Sequence, residues 1–109
     1  MPAAPELHHP EMGEVALTDV LFALSDPARL ELARQLVDGP QDMAACSATG
    51  GPVPKATKSH QLKVLREAGV VRNVPKGRGR LLSLRRDELD TAFPGLLDSV
   101  LGPRATPAD

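Results

Sequence analysis

Leu17, Val20, Leu21 and Leu24 fall at i, i+3, i+4 and i+7, which predicts an amphipathic helix over about residues 14–24. Ser25-Asp26-Pro27 interrupts it. Asp26 is suited to cap a second helix and Pro27 to occupy its first turn, while Leu30, Ala33, Leu36 and Val37 give that helix an apolar face as far as Gly39-Pro40. Asp42 is placed to cap a short third helix through Met43 and Cys46, followed by a loop from Thr49 to Pro54. A longer helix is predicted over residues 55–68, with Gly69 where a left-handed cap belongs. The period then changes. Val70, Val71 and Val74 begin one strand, Lys76-Gly77-Arg78-Gly79 a turn, and Leu81, Leu82 and Leu84 the return strand. Leu89, Ala92, Phe93, Leu96, Leu97 and Val100 predict a last helix over residues 87–101, kinked or broken at Pro94.

The order helix, helix, short helix, helix, hairpin, helix is the layout of a winged helix-turn-helix, mainly α with a small β-hairpin. Residues 14–101 are expected to form the domain, and residues 1–13 and 102–109, lacking apolar periodicity, to be flexible tails. A single core of this size lies near the lower limit for unaided stability, so pairing with a second copy would help. Two stripes are candidate dimer surfaces: Leu17, Val20, Leu21 and Leu24 on the first helix, and Leu89, Phe93, Leu96 and Leu97 on the last. A two-fold dimer would set two recognition helices about 34 Å apart, one turn of DNA.

Charge changes the picture most. Of 13 Lys and Arg residues, ten lie between positions 55 and 86, where Glu67 is the one acid, so that window carries a net +9. The other residues hold three basic and 13 acidic groups, which brings the chain to −1. This segregation is the footprint of a nucleic-acid binder, because neutralised phosphates release condensed counterions. With no Trp or Tyr and two Phe residues outside the basic window, base stacking is not the expected mode of recognition. One cysteine, Cys46, excludes an internal disulfide and fits a reducing cytoplasm; no apolar run reaches the length of a membrane span.

Stepping ~100° per residue along residues 55–68 puts the apolar sector around Leu62, Leu65 and Ala68. On the opposite face lie Lys55, Ala56, Ser59, His60, Lys63 and Arg66, a mixture of small and hydrogen-bonding groups with cations that reach phosphates or guanine acceptors. Lys58 falls at the margin of the core. Lys76, Arg78 and Arg80 make the hairpin a basic wing.

Leu24-Ser25-Asp26-Pro27-Ala28-Arg29-Leu30, the run Ser59-His60-Gln61-Leu62-Lys63-Val64-Leu65-Arg66-Glu67-Ala68-Gly69-Val70-Val71, and a basic hairpin closing in Leu82-Ser83-Leu84 together resemble the ArsR/SmtB family of bacterial repressors. The resemblance spans roughly residues 14–101. It implies a dimeric winged-helix repressor whose first and last helices form the dimer interface and which leaves its operator on binding an effector. It also implies that Lys55, Ala56, Ser59 and His60 face the groove, with Arg78 and Arg80 on the wing. The stretch Thr49 to Pro54 is longer and richer in Gly and Pro than the family's usual tight turn.

Members of that family often sense metals through a Cys-x-Cys pair or through Asp and His on the last helix. Neither set is present. The neighbouring His8 and His9, with Glu11, are a candidate site for a borderline metal such as Ni(II) or Zn(II), provided that other ligands join them. No catalytic constellation or phosphate-cradling glycine motif occurs, so the chain is expected not to be an enzyme. The main reading is a homodimeric regulator of double-stranded DNA under control of an effector. The alternatives are a winged-helix subunit that binds DNA with a partner protein holding the effector site, and an architectural DNA binder without sequence preference.

Overall fold

A computed structural model describes residues 7–45 and 55–102 of the chain, without the Lys55 side chain. Helix α1 spans Leu17–Leu24 and α2 spans Pro27–Arg34. The Asp26 carboxylate accepts from the Ala28 and Arg29 amides at 3.0 and 3.1 Å, the cap that the sequence predicts in front of Pro27. Beyond Arg34 the chain continues in tight turns, so Leu36 is buried with Leu32 and Ala33. The first helix begins later than predicted. Met12–Glu14 form a separate 3-10 turn, closed by the Glu14 amide on the Glu11 carbonyl at 2.8 Å, and Val15-Ala16 lead into α1.

Asp42 does not cap a helix. Gln41–Asp42 form a short strand, β1, that pairs antiparallel with Leu82 and Leu81, and Met43–Ala45 follow as one 3-10 turn. Two residues carry no readable period, and their partner lies some 40 positions away, so local pattern did not reveal the strand. Cys46 and the loop Thr49 to Pro54 lie outside the described residues.

Helix α3 spans Lys55–Glu67. Its end is set by Gly69 at φ +87°, with the Val70 amide reaching back to the Leu65 carbonyl at 3.0 Å. A β-carbon on Gly69 would collide with the Val15 side chain, so this position needs glycine for both conformation and close approach. Strands β2 (Val71–Lys76) and β3 (Gly79–Leu84) pair from Val71↔Leu84 to Lys76↔Gly79 around a Gly77-Arg78 turn. With β1 they make a three-stranded antiparallel sheet in the order β1-β3-β2. The expected last helix is two: α4 (Arg86–Ala92) and α5 (Leu96–Leu101), broken at Phe93-Pro94-Gly95 with Gly95 at φ +82°. The buried Arg86 guanidinium joins them, meeting Asp90 at 3.4 Å and also Asp98.

One core unites these elements through Val20, Leu24, Leu32, Leu62, Leu65, Val71, Leu82, Leu89 and Leu97. Four residues expected on a dimer surface are therefore internal: Val20, Leu89 and Leu97 are fully buried and Leu24 nearly so. An amphipathic stripe must be covered, but its spacing does not say whether the cover is the same chain or another. Helix α1 is apolar on more than one side, and its outer side leaves Leu17 and Leu21 over 40% exposed and Phe22 65% exposed.

Candidate nucleic-acid interface

Burial of Leu62, Leu65 and Ala68 turns the opposite face of α3 outward, and Ala56, Ser59, His60 and Lys63 all stand exposed on it. Two contacts hold this helix in place. Lys58, half-buried, donates from Nζ to the Met43 carbonyl, anchoring the N-terminal half of α3 to the turn after β1. Arg29 anchors the middle: Nη1 donates to Gln61 Oε1 at 2.8 Å while Nε donates to the Ala23 carbonyl at 2.7 Å. Its guanidinium also sits 5.3 Å from the centre of the Phe22 ring. Arg29 lies outside the basic window and was not among the expected site residues. The signal for it was its place beside the capped start of α2, where a long cation can reach both neighbouring helices.

Arg66 does not join the exposed face. It is 9% exposed and donates from Nη1 to the His8 carbonyl. Residues 7–10 fold over that side of α3, which helical angles within one segment cannot anticipate. At the wing, Lys76 and Arg78 are exposed, with Lys76 Nζ 4.0 Å from Asp42 Oδ1. Arg80 turns back toward the sheet, its Nε 2.5 Å from Asn73 Oδ1 and its Nη2 3.2 Å from the Asn73 carbonyl. Thus the wing tip carries Lys76 and Arg78, and Arg80 lines the space between wing and helix.

The base of the hairpin holds the remaining cations. Arg85, only 3% exposed in its side chain, places Nε and Nη2 on the two oxygens of Glu88 at 3.1 and 3.0 Å and Nη1 on the Pro10 carbonyl at 2.7 Å. Arg72 reaches the same Glu88 at 2.7 Å. Hydrogen bonds from Arg85, aided by the charges of Arg85 and Arg72, hold the Glu88 carboxyl below its ordinary range despite some desolvation. Between these arginines, His9 Nε2 accepts from the Asn73 amide at 3.0 Å. Partial burial, then the nearby charges of Arg66, Arg72 and Arg85, keep its imidazole below the usual histidine value.

Residues 8–10 thus form a strap fastened to α3, β2 and the start of α4, where the sequence suggests a loose tail. The arrangement also bears on the candidate metal ligands. His9 spends Nε2 on a backbone amide amid three guanidinium groups, and among the described residues no three His, Cys, Asp or Glu side chains gather as a metal site. His8, His9 and Glu11 are not brought together as a ligand set.

No protein-family model matches the chain. It is 35% identical over 83 residues to the uncharacterized HTH-type transcriptional regulator YceK of Bacillus subtilis, covering 74% of this chain and 82% of that protein. A crystal structure of a possible transcriptional regulator for arsenical resistance is 31% identical with a TM-score of 0.60, covering 74% of this chain and 82% of that one. A crystal structure of an ArsR family transcriptional regulator, 20% identical, shares the fold with a TM-score of 0.62 over 76% of this chain and 90% of that one. The relatives are transcriptional regulators rather than enzymes, and their likeness agrees with the capped Asp26-Pro27 start, the exposed face of α3 and the basic hairpin. The chain belongs to the ArsR family of helix-turn-helix transcriptional regulators.

Proposed function

We propose that the protein is a homodimeric repressor that reads a pseudo-palindromic operator in double-stranded DNA. The observation that carries this reading is the exposed row Ala56, Ser59, His60 and Lys63 on α3, flanked by the exposed Lys76 and Arg78 of the wing. Small residues admit close approach to base edges, Ser59 and His60 offer hydrogen bonds, and the cations meet phosphates on either side. Lys55, expected in this set from the sequence, opens α3, and its side chain lies outside the described residues. Support for the dimer comes from Leu17, Leu21 and Phe22, whose exposure together costs apolar hydration that a two-fold partner would relieve. Phe93 and Leu96, partly buried beside Leu17, continue that surface.

The effector reading is coarser. A metal effector such as Ni(II) or Zn(II) held by His8, His9 and Glu11 would have to take His9 Nε2 from the Asn73 amide, so loading the metal would undo the strap. Among the described residues no helix is long and apolar enough to cross a membrane, which is compatible with a cytoplasmic regulator.

The test is the ratio of operator to random-DNA affinity at one salt concentration, using an operator found by genomic footprinting. A specific regulator gives a ratio of roughly 10³ or more; a ratio near one would overturn the reading in favour of an architectural binder. For the dimer, sedimentation of Leu21→Glu should show a folded monomer that has lost the full palindrome's advantage over a half-site. A parent chain that is already monomeric at micromolar concentration would sink the dimer.

A further inference from the structure

Residues 7–10 run from the hairpin base to the recognition face. Pro10 gives its carbonyl to Arg85 Nη1 at 2.7 Å beside the start of α4, His9 Nε2 accepts from the Asn73 amide on β2 at 3.0 Å, and the His8 carbonyl accepts from Arg66 Nη1. Leu7 then reaches the cleft between α3 and the hairpin, sharing its lining with Ser59, Lys63 and Arg66. Those three stand at i, i+4 and i+7, one above another on a single side of α3. The strap therefore ends on the side that bears the exposed Ser59 and Lys63, and it covers the last cation of that row. A segment held there occupies space that a duplex reading α3 would need.

The strap is fastened rather than packed. None of residues 7–10 belongs to the apolar core or to the side chains resting on it, which begin at Met12. Its fastenings are replaceable: β2 is an edge strand, so an Asn73 N–H released by His9 meets water. The Arg66 bond is the unequal one. A carbonyl satisfies a guanidinium N–H without neutralising its charge, whereas a phosphate oxygen does both, in a bond roughly twice as strong. A duplex thus offers Arg66 more than the His8 carbonyl does, and without DNA the neutral strap keeps that side chain buried. We propose that residues 7–10 are an autoinhibitory strap, closed over the C-terminal end of the α3 row in the free protein and displaced when a duplex engages that row. Closure withholds one cation and the mouth of the cleft from DNA, so contacts that stabilise the closed strap weaken DNA binding. This rests on α3 being the DNA-reading helix.

Two measurements on the full chain test the strap. In the first, backbone nitrogen-15 NMR order parameters of Leu7, His8 and His9 are compared in the free protein and in a complex saturated with duplex. Rigid values of about 0.85 in the free protein should fall below about 0.6 in the complex, while Asn73 and its neighbours on β2 stay rigid. In the second, binding of a random-sequence duplex is followed across salt. His9→Ala removes the acceptor of the Asn73 amide without altering the exposed row. Affinity should rise roughly two- to fivefold, and the slope of log affinity against log salt should steepen by up to about one. Arg66→Gln should change the parent little and erase that gain when added to His9→Ala. If His9→Ala is poorly folded, the order parameters of the parent decide. Residues 7–9 equally rigid or equally mobile in both states, or a folded His9→Ala that binds no more tightly than the parent, would overturn the strap. Either failure leaves duplex binding itself in place, whereas a chain that binds no duplex at all overturns the regulator and the strap together.

Discussion

Lys63, Lys76 and Arg78 come from the same basic window as Arg66, Arg85 and Arg86, yet the two sets do different work. The first three are exposed on α3 and the wing tip. The second three are at most 9% exposed and are committed to the His8 and Pro10 carbonyls, Glu88, Asp90 and Asp98. A charge run therefore overstates the surface that a phosphate backbone can reach. The net +9 divides into a part that remains available to polyanions and a part that fastens the strap, the hairpin and the last two helices together. What separates the parts is not residue type but whether another segment folds over the side chain.

The strongest way to break this distinction is to truncate one cation from each set and compare stability. Arg85→Ala should cost about 2–3 kcal/mol in denaturant unfolding, since it leaves the Pro10 carbonyl without its charged donor and Glu88 with Arg72 as its remaining arginine partner. Lys63→Ala should stay within about 0.5 kcal/mol of the parent. Equal losses would erase the division. His60→Ala sharpens the exposed side: operator affinity should fall by roughly 1–3 kcal/mol, with a much smaller loss on random DNA. An equal loss on both duplexes would assign His60 to the phosphates.

Smaller again is the effect of Arg78→Ala at the wing tip. Affinity should drop on all sequences alike, and the slope of log affinity against log salt should flatten by about one. A slope that does not change would mean that the wing stays off the backbone. The smallest effect tests the strap by pH. The His9 imidazole is held below its ordinary value, first by burial and then by Arg66, Arg72 and Arg85. The unfolded chain then binds more protons than the folded one as pH falls below about 6.5, so His9 favours the folded state less with each step toward acid. Unfolding followed from pH 7.5 to 5 should show this decline, and His9→Gln should lessen it. Glu88 has the same sign at more acidic pH, since its carboxyl is held below its ordinary value by Arg85.

The first and last helices repeat the lesson with apolar residues. Leu17 and Leu21 remain exposed while Val20, Leu24, Leu89 and Leu97 belong to the core, although all six belong to similar stripes. A substitution such as Leu97→Glu would unfold the chain rather than split a dimer. The informative positions are Leu21 and Phe22.

What the sequence by itself determined was local: the capped start at Asp26-Pro27, the left-handed stop at Gly69, the hairpin around Gly77-Arg78, the break near Pro94, and the outward face of α3 bearing Ser59, His60 and Lys63. Each rests on groups within about one helical turn or one hairpin, where spacing and φ preference are strong signals. The tertiary structure alone decided that Gln41–Asp42 would add a strand to β3, that residues 8–10 would strap the hairpin base, that Arg66 would turn from the exposed set to the buried one, and that Arg80 would fold back on Asn73. Those outcomes depend on partners up to 75 positions away. A buried carbonyl or amide must find a partner somewhere, but the sequence does not say which distant side chain will answer it.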